Sequence, residues 1–150
     1  MNAQEMWSLY IKASGAQAGE YDAWQFGDDP DALAQLVLDG IKTATASAYP
    51  LYALEGEPLP EAGQYSVILN ARDEAVCVIR NTRVTVVPYR EITAAHAFRE
   101  GEGDRSLAHW RRVHEAFFTN DMAASGLTFD ESMPVVCEEF EVVYPKEEQI

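Results

Sequence analysis

The 150-residue chain predicts an α+β fold, a small mixed sheet or barrel flanked by helices. Three observations lead there. Its strand-like runs are short and bounded by turns, and amphipathic runs with capping residues interrupt them. The two kinds do not alternate as regular β-α-β units, which argues against a doubly wound sheet. The length is enough for one domain with a real core, and a hydrophobic fraction of 47% fits a globular chain.

In chain order, Met6, Leu9, Tyr10 and Ala13 recur at helical spacing over residues 2–13, and Ser14-Gly15 ends that helix. Residues 19–26 (GEYDAWQF) read as a connection and a strand. Asp28-Asp29-Pro30 opens a second helix, with an Asp cap, proline at the first helical position and Asp31 in the first turn. Leu33, Leu36, Val37 and Ile41 give its buried stripe, and Gly40 its stop.

Residues 40–47 (GIKTATAS) read as the start of a strand. Alternation places Thr43, Thr45 and Ser47 on one face and Lys42, Ala44 and Ala46 on the other. Residues 49–63, with three prolines and several acidic or turn-forming stretches, predict a surface excursion. A strand at 65–69, a turn at 70–74 and a longer strand at 75–87, bent around Asn81, follow; Pro88 closes it. Thr93 caps a short helix over 92–99. The loop 100–106 (EGEGDRS) opens a helix from Ser106 to about Ala124, whose stripe is Leu107, Trp110, His114, Phe117 and Asp121 or Met122. Alternation over 134–144 predicts a final strand, and residues 146–150 a frayed tail.

Composition excludes several function classes. A net charge of −14 opposes coating of a polyanion, so duplex DNA is not an expected partner. All eight arginines nevertheless fall between Arg72 and Arg112, which leaves room for a locally positive cleft and a short strand or nucleoside. No run reaches the roughly 20 apolar residues of a membrane span, so no membrane partner is expected. The N-terminus lacks a basic, signal-like start, and Cys77 and Cys137 sit in apolar runs as two free thiols without zinc-ligand spacing; a reduced, cytoplasmic protein is expected.

The best chemical lead is Lys42, the only lysine between Lys12 and Lys146. It leaves a helix just ahead of Thr43, Thr45 and Ser47. Trp24, Phe26, Tyr49 and Trp110 are candidate walls for an aromatic ligand, and Arg105 a candidate contact to phosphate or to an orienting carboxylate. Each residue also has a plainer reading. From the residues alone Lys42 reads as a solvated strand end, the hydroxyls as strand formers, the tryptophans as core, and Arg105 as half of a surface ion pair. The carboxylates Glu100, Glu102 and Asp104 read as a helix-capping loop or as a cation site without further ligand spacing. His114 reads as a core histidine; His96 and His109 are weaker candidates.

The order of segments resembles an ASCH domain. The matching runs are Trp24-Gln25-Phe26-Gly27-Asp28, the stretch 36–47 (LVLDGIKTATAS), Pro88-Tyr89-Arg90-Glu91-Ile92-Thr93, residues 100–107 with Trp110 and 114–118 (HEAFF), and the closing strand 135–143. Together they span about residues 21–144, as in the longer branch of the family. The resemblance implies residues 21–145 as the ASCH domain, residues 1–20 as a helix packed on it, and a PUA-like fold, a small mixed β-barrel with flanking helices. PUA-like relatives bind RNA or modified nucleosides. A small family member hydrolyses N4-acetylcytidine with a Lys, a Thr three positions on and a later Glu; a longer one is described as a ribonuclease.

Carried over by position, the implied catalytic residues are Lys42, Thr45 and Glu100, with Glu102 as the other candidate for the carboxylate. Trp24, Phe26, Thr43, Ser47, Tyr49, Arg105 and Trp110 become substrate-binding candidates. The expected activity is amidohydrolysis of N4-acylated cytosine nucleosides, with no cofactor and no metal, and with a small nucleoside as partner. The alternatives are a ribonuclease on short single-stranded RNA and a non-catalytic reader. The amidohydrolase reading makes two structural demands. Lys42, with a free pKa of about 10.4, must sit dry enough to act as a base. It must also turn to the side of Thr45, against ideal strand alternation.

Overall fold

A computed structural model describes residues 1–17, 19–27 and 29–146. Its elements are α1 (Ala3–Ser14), β1 (Asp22–Gln25), α2 (Pro30–Leu38), β2 (Ala44–Ala48), α3 (Tyr49–Glu55), β3 (Tyr65–Leu69), β4 (Ala75–Pro88), a 3₁₀ turn (Tyr89–Glu91), α4 (Ala94–Glu100), α5 (Leu107–Ala124) and β5 (Pro134–Tyr144). The strands form one five-stranded sheet in the order β1-β3-β4-β5-β2. β1 runs parallel to β3, while the β3–β4 and β2–β5 pairs are antiparallel. The architecture is α+β, a half-barrel sheet flanked by helices.

The chain divides into two units. The first comprises Met1–Lys42, Glu61–Arg83 and the chain from Phe140 on; the second comprises Thr43–Pro60 and Val84–Glu139. In the first unit α1 starts with a capping box. The Asn2 side chain accepts from the Glu5 amide at 2.8 Å, and Glu5 accepts back from the Asn2 amide. Gly15 closes the helix at φ +70, a left-handed position that L side chains disfavour. The face so fixed buries Met6, Trp7 and Tyr10 with Val67 and Val78. Asp29 caps α2 and Pro30 occupies its first turn; Asp28 lies outside the described residues. A second cluster gathers Phe26, Ala34, Val37, Ile68, Cys77, Ile79 and Phe140. The β3–β4 turn is held by the Asn70 side chain, which accepts from the Arg72 and Glu74 amides.

In the second unit Thr93 caps α4 and Ser106 caps α5, each through its side-chain oxygen. The core there is Leu51, Tyr89, Ile92, Trp110, Phe118, Met122, Met133, Val135 and Cys137 with Ala48 and Ala97. β2 pairs with β5 from Ala44↔Glu139 to Ala48↔Val135, so Thr45 lies opposite Glu138.

Several expectations need correction. The excursion over 49–63 contains the helix α3. Pro50 sits in its first turn, where proline is tolerated, and Gly56 at φ +70 ends it; the prolines pointed to loop because their position in the turn was not weighed. β2 starts at Ala44, so Lys42 and Thr43 belong to the exit from α2 and not to a strand. On α5 the buried phenylalanine is Phe118, while Phe117 is 42% exposed. Spacings of three and then four residues continue the stripe from Leu107 through Trp110 and His114 to Phe118 and Met122. The last tail residues, 147–150, lie outside the described residues.

Candidate active site

In the second unit a single carboxylate organises the interior. Glu100 is the last residue of α4, and Gly101 follows at φ +74, turning the chain sharply where a Cβ would strain it. The Glu100 side chain is 2% exposed. Its Oε2 receives the indole N–H of Trp110 at 2.6 Å and lies 2.6 Å from His96 Nε2. Its Oε1 lies 3.5 Å from His114 Nε2. A buried carboxylate persists only when its oxygens are paired, and here two helices supply the partners.

The local sequence explains that convergence. His96 precedes Glu100 by one helical turn on α4, and Trp110 precedes His114 by one turn on α5, so each pair shares a helix face. The intervening loop brings the two faces together. It reverses through Gly101, Gly103 at φ +60 and Arg105 at φ +65. A Cβ at Gly103 would run into the His109 ring. The Asp104 side chain accepts from the Ser106 amide at 2.9 Å, and hydrogen bonding to Ser106 holds this exposed carboxyl below its usual value. Trp110 is 3% exposed, and one face is covered by the His114 ring, 4.1 Å away and nearly parallel. Of its two readings, stacking wall and core residue, the structure has Trp110 in the core, donating a hydrogen bond to Glu100.

β2 is tied to α4 by the Thr43 amide, which donates to the Arg99 carbonyl at 2.7 Å; Arg99 in turn pairs with Glu139 at 3.5 Å. Thr43 and Thr45 are half-buried. The Ser47 hydroxyl is engaged with the Tyr52 hydroxyl at 2.7 Å, a contact to α3 that the sequence reading did not contain. Tyr49 is 38% exposed at the start of α3. Arg105 stacks on Phe98, with its guanidinium 3.6 Å from the ring centroid, and its Nε donates to the Phe98 carbonyl.

In the first unit the sequence candidates Lys42, Phe26 and Trp24 come together. The Gly40 amide donates to the Val37 carbonyl and those of Ile41 and Lys42 to Leu36, with Gly40 at φ +75. That exit turns the lysine inward. Lys42 is 2% exposed, exceptional for a residue type that is almost never fully buried. Its Nζ stands 5.2 Å from the Phe26 ring centroid, and Phe26 packs edge-on against Trp24 at 4.8 Å. Because Lys42 precedes β2, strand alternation does not govern its direction.

Glu102 lies in the loop beyond Gly101 and is half-buried. Among the described residues, no three His, Cys, Asp or Glu side chains are grouped so as to hold a metal ion. Cys77 and Cys137 are free and buried, and burial pushes each thiol up to about 12. No helix is long and apolar enough to cross a membrane, among the described residues.

The half-barrel sheet flanked by helices, with a buried carboxylate at the end of α4, defines a PUA-like domain. The family model for the ASCH domain matches residues 22–144, and the chain belongs to that family. The ASCH domain of Lactobacillus crispatus JV V101 superposes with a TM-score of 0.89 at 32% identity, covering 94% of this chain and 93% of that one. Protein EF3133 of Enterococcus faecalis V583 is 34% identical with a TM-score of 0.86, covering 98% of this chain and 93% of that one. The hypothetical protein PH0355, at 12% identity and a TM-score of 0.55 over 81% of this chain and 97% of that one, shares the fold. No curated protein matches the sequence.

Proposed function

We propose that this ASCH domain is an amidohydrolase that releases the acyl group from N4-acylated cytosine nucleosides, with Lys42, Thr45 and Glu100 in the catalytic roles. The observation that carries this reading is the buried Glu100 carboxylate held by His96 and Trp110. A core has no need of such a group, and its position is the one the family motif assigns to the catalytic carboxylate. The roles of Lys42 and Thr45 rest on the same motif. The near-complete burial of Lys42 supports a chemical rather than a solvating role, and partial exposure leaves Thr45 accessible.

In this reaction the Thr45 hydroxyl attacks the acyl carbon and its proton passes to the lysine base. The C–N4 bond breaks, and the same proton goes to the departing amine, giving cytidine and an acyl-threonine. Water then cleaves the ester, returning the hydroxyl and releasing the carboxylic acid. Alternatively, Thr45 orients a water that attacks directly, with the same overall balance. Glu100 acts by orientation, as the third member of a triad does. The net charge of −14 favours a small, weakly charged substrate over a long RNA.

Incubation with N4-acetylcytidine tests the reading. Cytidine and acetate should form, and Lys42→Ala and Thr45→Ala should each abolish turnover. No cytidine from the wild type, or full activity in both variants, would sink it. Parallel incubation with short single-stranded RNA covers the ribonuclease alternative, whose activity should fall steeply with salt whereas nucleoside hydrolysis should not.

A further inference from the structure

Attack on an amide carbonyl pushes an electron pair onto its oxygen, and that charge needs a donor already in place. The roles given to Lys42, Thr45 and Glu100 leave that donor unassigned. The strand that carries Thr45 offers one. Alternation along β2 puts Ser47 on the face of Thr45, about 7 Å further along the strand. The Ser47 hydroxyl is hydrogen-bonded to the Tyr52 hydroxyl at 2.7 Å, and both side chains are half-buried. β2 (Ala44–Ala48) runs straight into α3 (Tyr49–Glu55) with no loop between them. Ser47 thus stands at the end of the strand, and Tyr52 reaches back to it from the first stretch of a helix that Pro50 starts and Gly56 stops.

We propose that Ser47 is the oxyanion donor of this site and that Tyr52 is the residue that orients it. The two hydroxyls carry two protons and use one of them between themselves. A phenol is the more acidic of the two, so Tyr52 donates to Ser47 and the Ser47 proton is left for a third oxygen. A hydroxyl that accepts one hydrogen bond is polarised as a donor of the next. The β2–β5 register supports the placement. Glu138 lies directly across from Thr45, and directly opposed residues share a face. The Tyr52 phenol feels the Glu138 charge, which sets it on that side too. Burial first, and then the charges of Glu138 and Glu55, push the phenol above its ordinary value against the opposite pull of the Ser47 bond. Tyr52 therefore keeps the proton it has to donate.

This role rests on the hydrolase reading and adds one contact to it. As a bond forms from Thr45 Oγ, or from a water that Thr45 orients, to the acyl carbon, the carbonyl electron pair moves onto the acyl oxygen. That oxygen, between Thr45 and Ser47, accepts a hydrogen bond from the Ser47 hydroxyl. Collapse returns the pair to the carbonyl and breaks the C–N4 bond, and neither hydroxyl of the Ser47–Tyr52 pair gives up its proton. Ser47 touches the reacting atoms and is catalytic. Tyr52 acts through Ser47 and is a positioning residue.

Two acyl donors separate this inference from the reading beneath it. With N4-acetylcytidine, Ser47→Ala should lower kcat on the order of 10²-fold with KM nearly unchanged, because the donor is worth most in the transition state. Ser47→Thr, which keeps a hydroxyl at the same place on the strand, should recover most of the rate. Tyr52→Phe should lower kcat on the order of 10-fold. The double variant, Ser47→Ala with Tyr52→Phe, should be little worse than Ser47→Ala alone, since Tyr52 acts through Ser47. Urea midpoints refer each rate to folded protein. Wild-type kcat in Ser47→Ala, or losses that simply add in the double variant, overturns the proposal. The second donor, p-nitrophenyl acetate, carries the acyl group without a nucleoside. Whatever nitrophenolate release Thr45→Ala abolishes should fall equally steeply in Ser47→Ala. If the wild type spares N4-acetylcytidine yet cleaves the ester through Thr45, the substrate reading fails alone and the ester rates decide the hydroxyl pair. If neither donor is cleaved through Thr45, both fall.

Discussion

Trp7 and Trp110 are buried to nearly the same degree, 5% and 3% exposed, yet their surroundings differ in kind. Trp7, in the first unit, has Tyr10, Tyr21 and Tyr65 with ring centroids 4.9–5.5 Å away, in tilted or edge-on arrangements. That is packing, and its return is apolar area removed from water. Trp110, in the second unit, stacks on His114, donates to Glu100 and lends its carbonyl to the same histidine. An aromatic ring in a core therefore says little about its purpose until its polar edge is followed. One tryptophan supports a helix; the other aligns an acid.

The largest effect that sharpens this contrast is expected at Trp7. Trp7→Ala should lower unfolding stability by about 3–5 kcal/mol, read from the urea midpoint. Turnover per folded molecule should remain, and a specific catalytic loss at equal folded fraction would break the contrast. Next comes Trp110→Phe, which keeps a ring but removes the donor to Glu100. Stability should fall by about 1–3 kcal/mol, and kcat should fall well beyond what the loss of folded protein explains. A variant with wild-type kcat would reduce Trp110 to packing.

The two interiors share one property, dryness, and the cysteines report it. Burial pushes Cys77 and Cys137 up to about 12, against 9.0 for a free thiol. The folded state thus keeps protons that the unfolded chain releases above pH 9, so stability is fully present below that pH and declines from about pH 9 toward 12. By pH 10 each thiol should contribute a loss of about 1 kcal/mol. Urea midpoints at pH 8 and 10 check this, and Cys77→Val and Cys137→Val should each flatten the decline. The smallest expected effects lie at the helix caps. Asn2→Ala and Ser106→Ala should each cost about 1 kcal/mol. Ser106→Ala should also disturb turnover, because it loosens the loop that presents α5 to Glu100; equal catalytic silence of both would argue against that coupling.

Much of this was legible before the fold was known, and the reason is locality. Asp29-Pro30, Thr93 and Ser106 announce their helices because a cap bonds within three residues of itself. The strands at 65–69, 75–87 and 134–144 announce themselves by alternation, which needs no partner to be seen. The resemblance to the ASCH family added the order of motifs, and with it the fold and the candidates Lys42, Thr45 and Glu100. The helix α3 was missed because Pro50 marks a helix start and a loop equally well. Phe117 stood in for Phe118 because one step along a helix rotates the stripe only partly, and packing chose between them.

The site shows the same boundary more sharply. The pairs His96/Glu100 and Trp110/His114 are each four residues apart, a spacing the sequence displays. Nothing in it states that the loop through Gly101, Gly103 and Arg105 would bring one pair onto the other. Sequence by itself determined the class, the helix caps and the identity of the unusual lysine and carboxylate, since those depend on neighbours along the chain. Only the tertiary structure decided that Lys42 is dry, that Trp110 is a donor and not a platform, and that His114 meets Glu100. Those facts depend on side chains meeting across a turn, where burial makes every unpaired donor and acceptor costly.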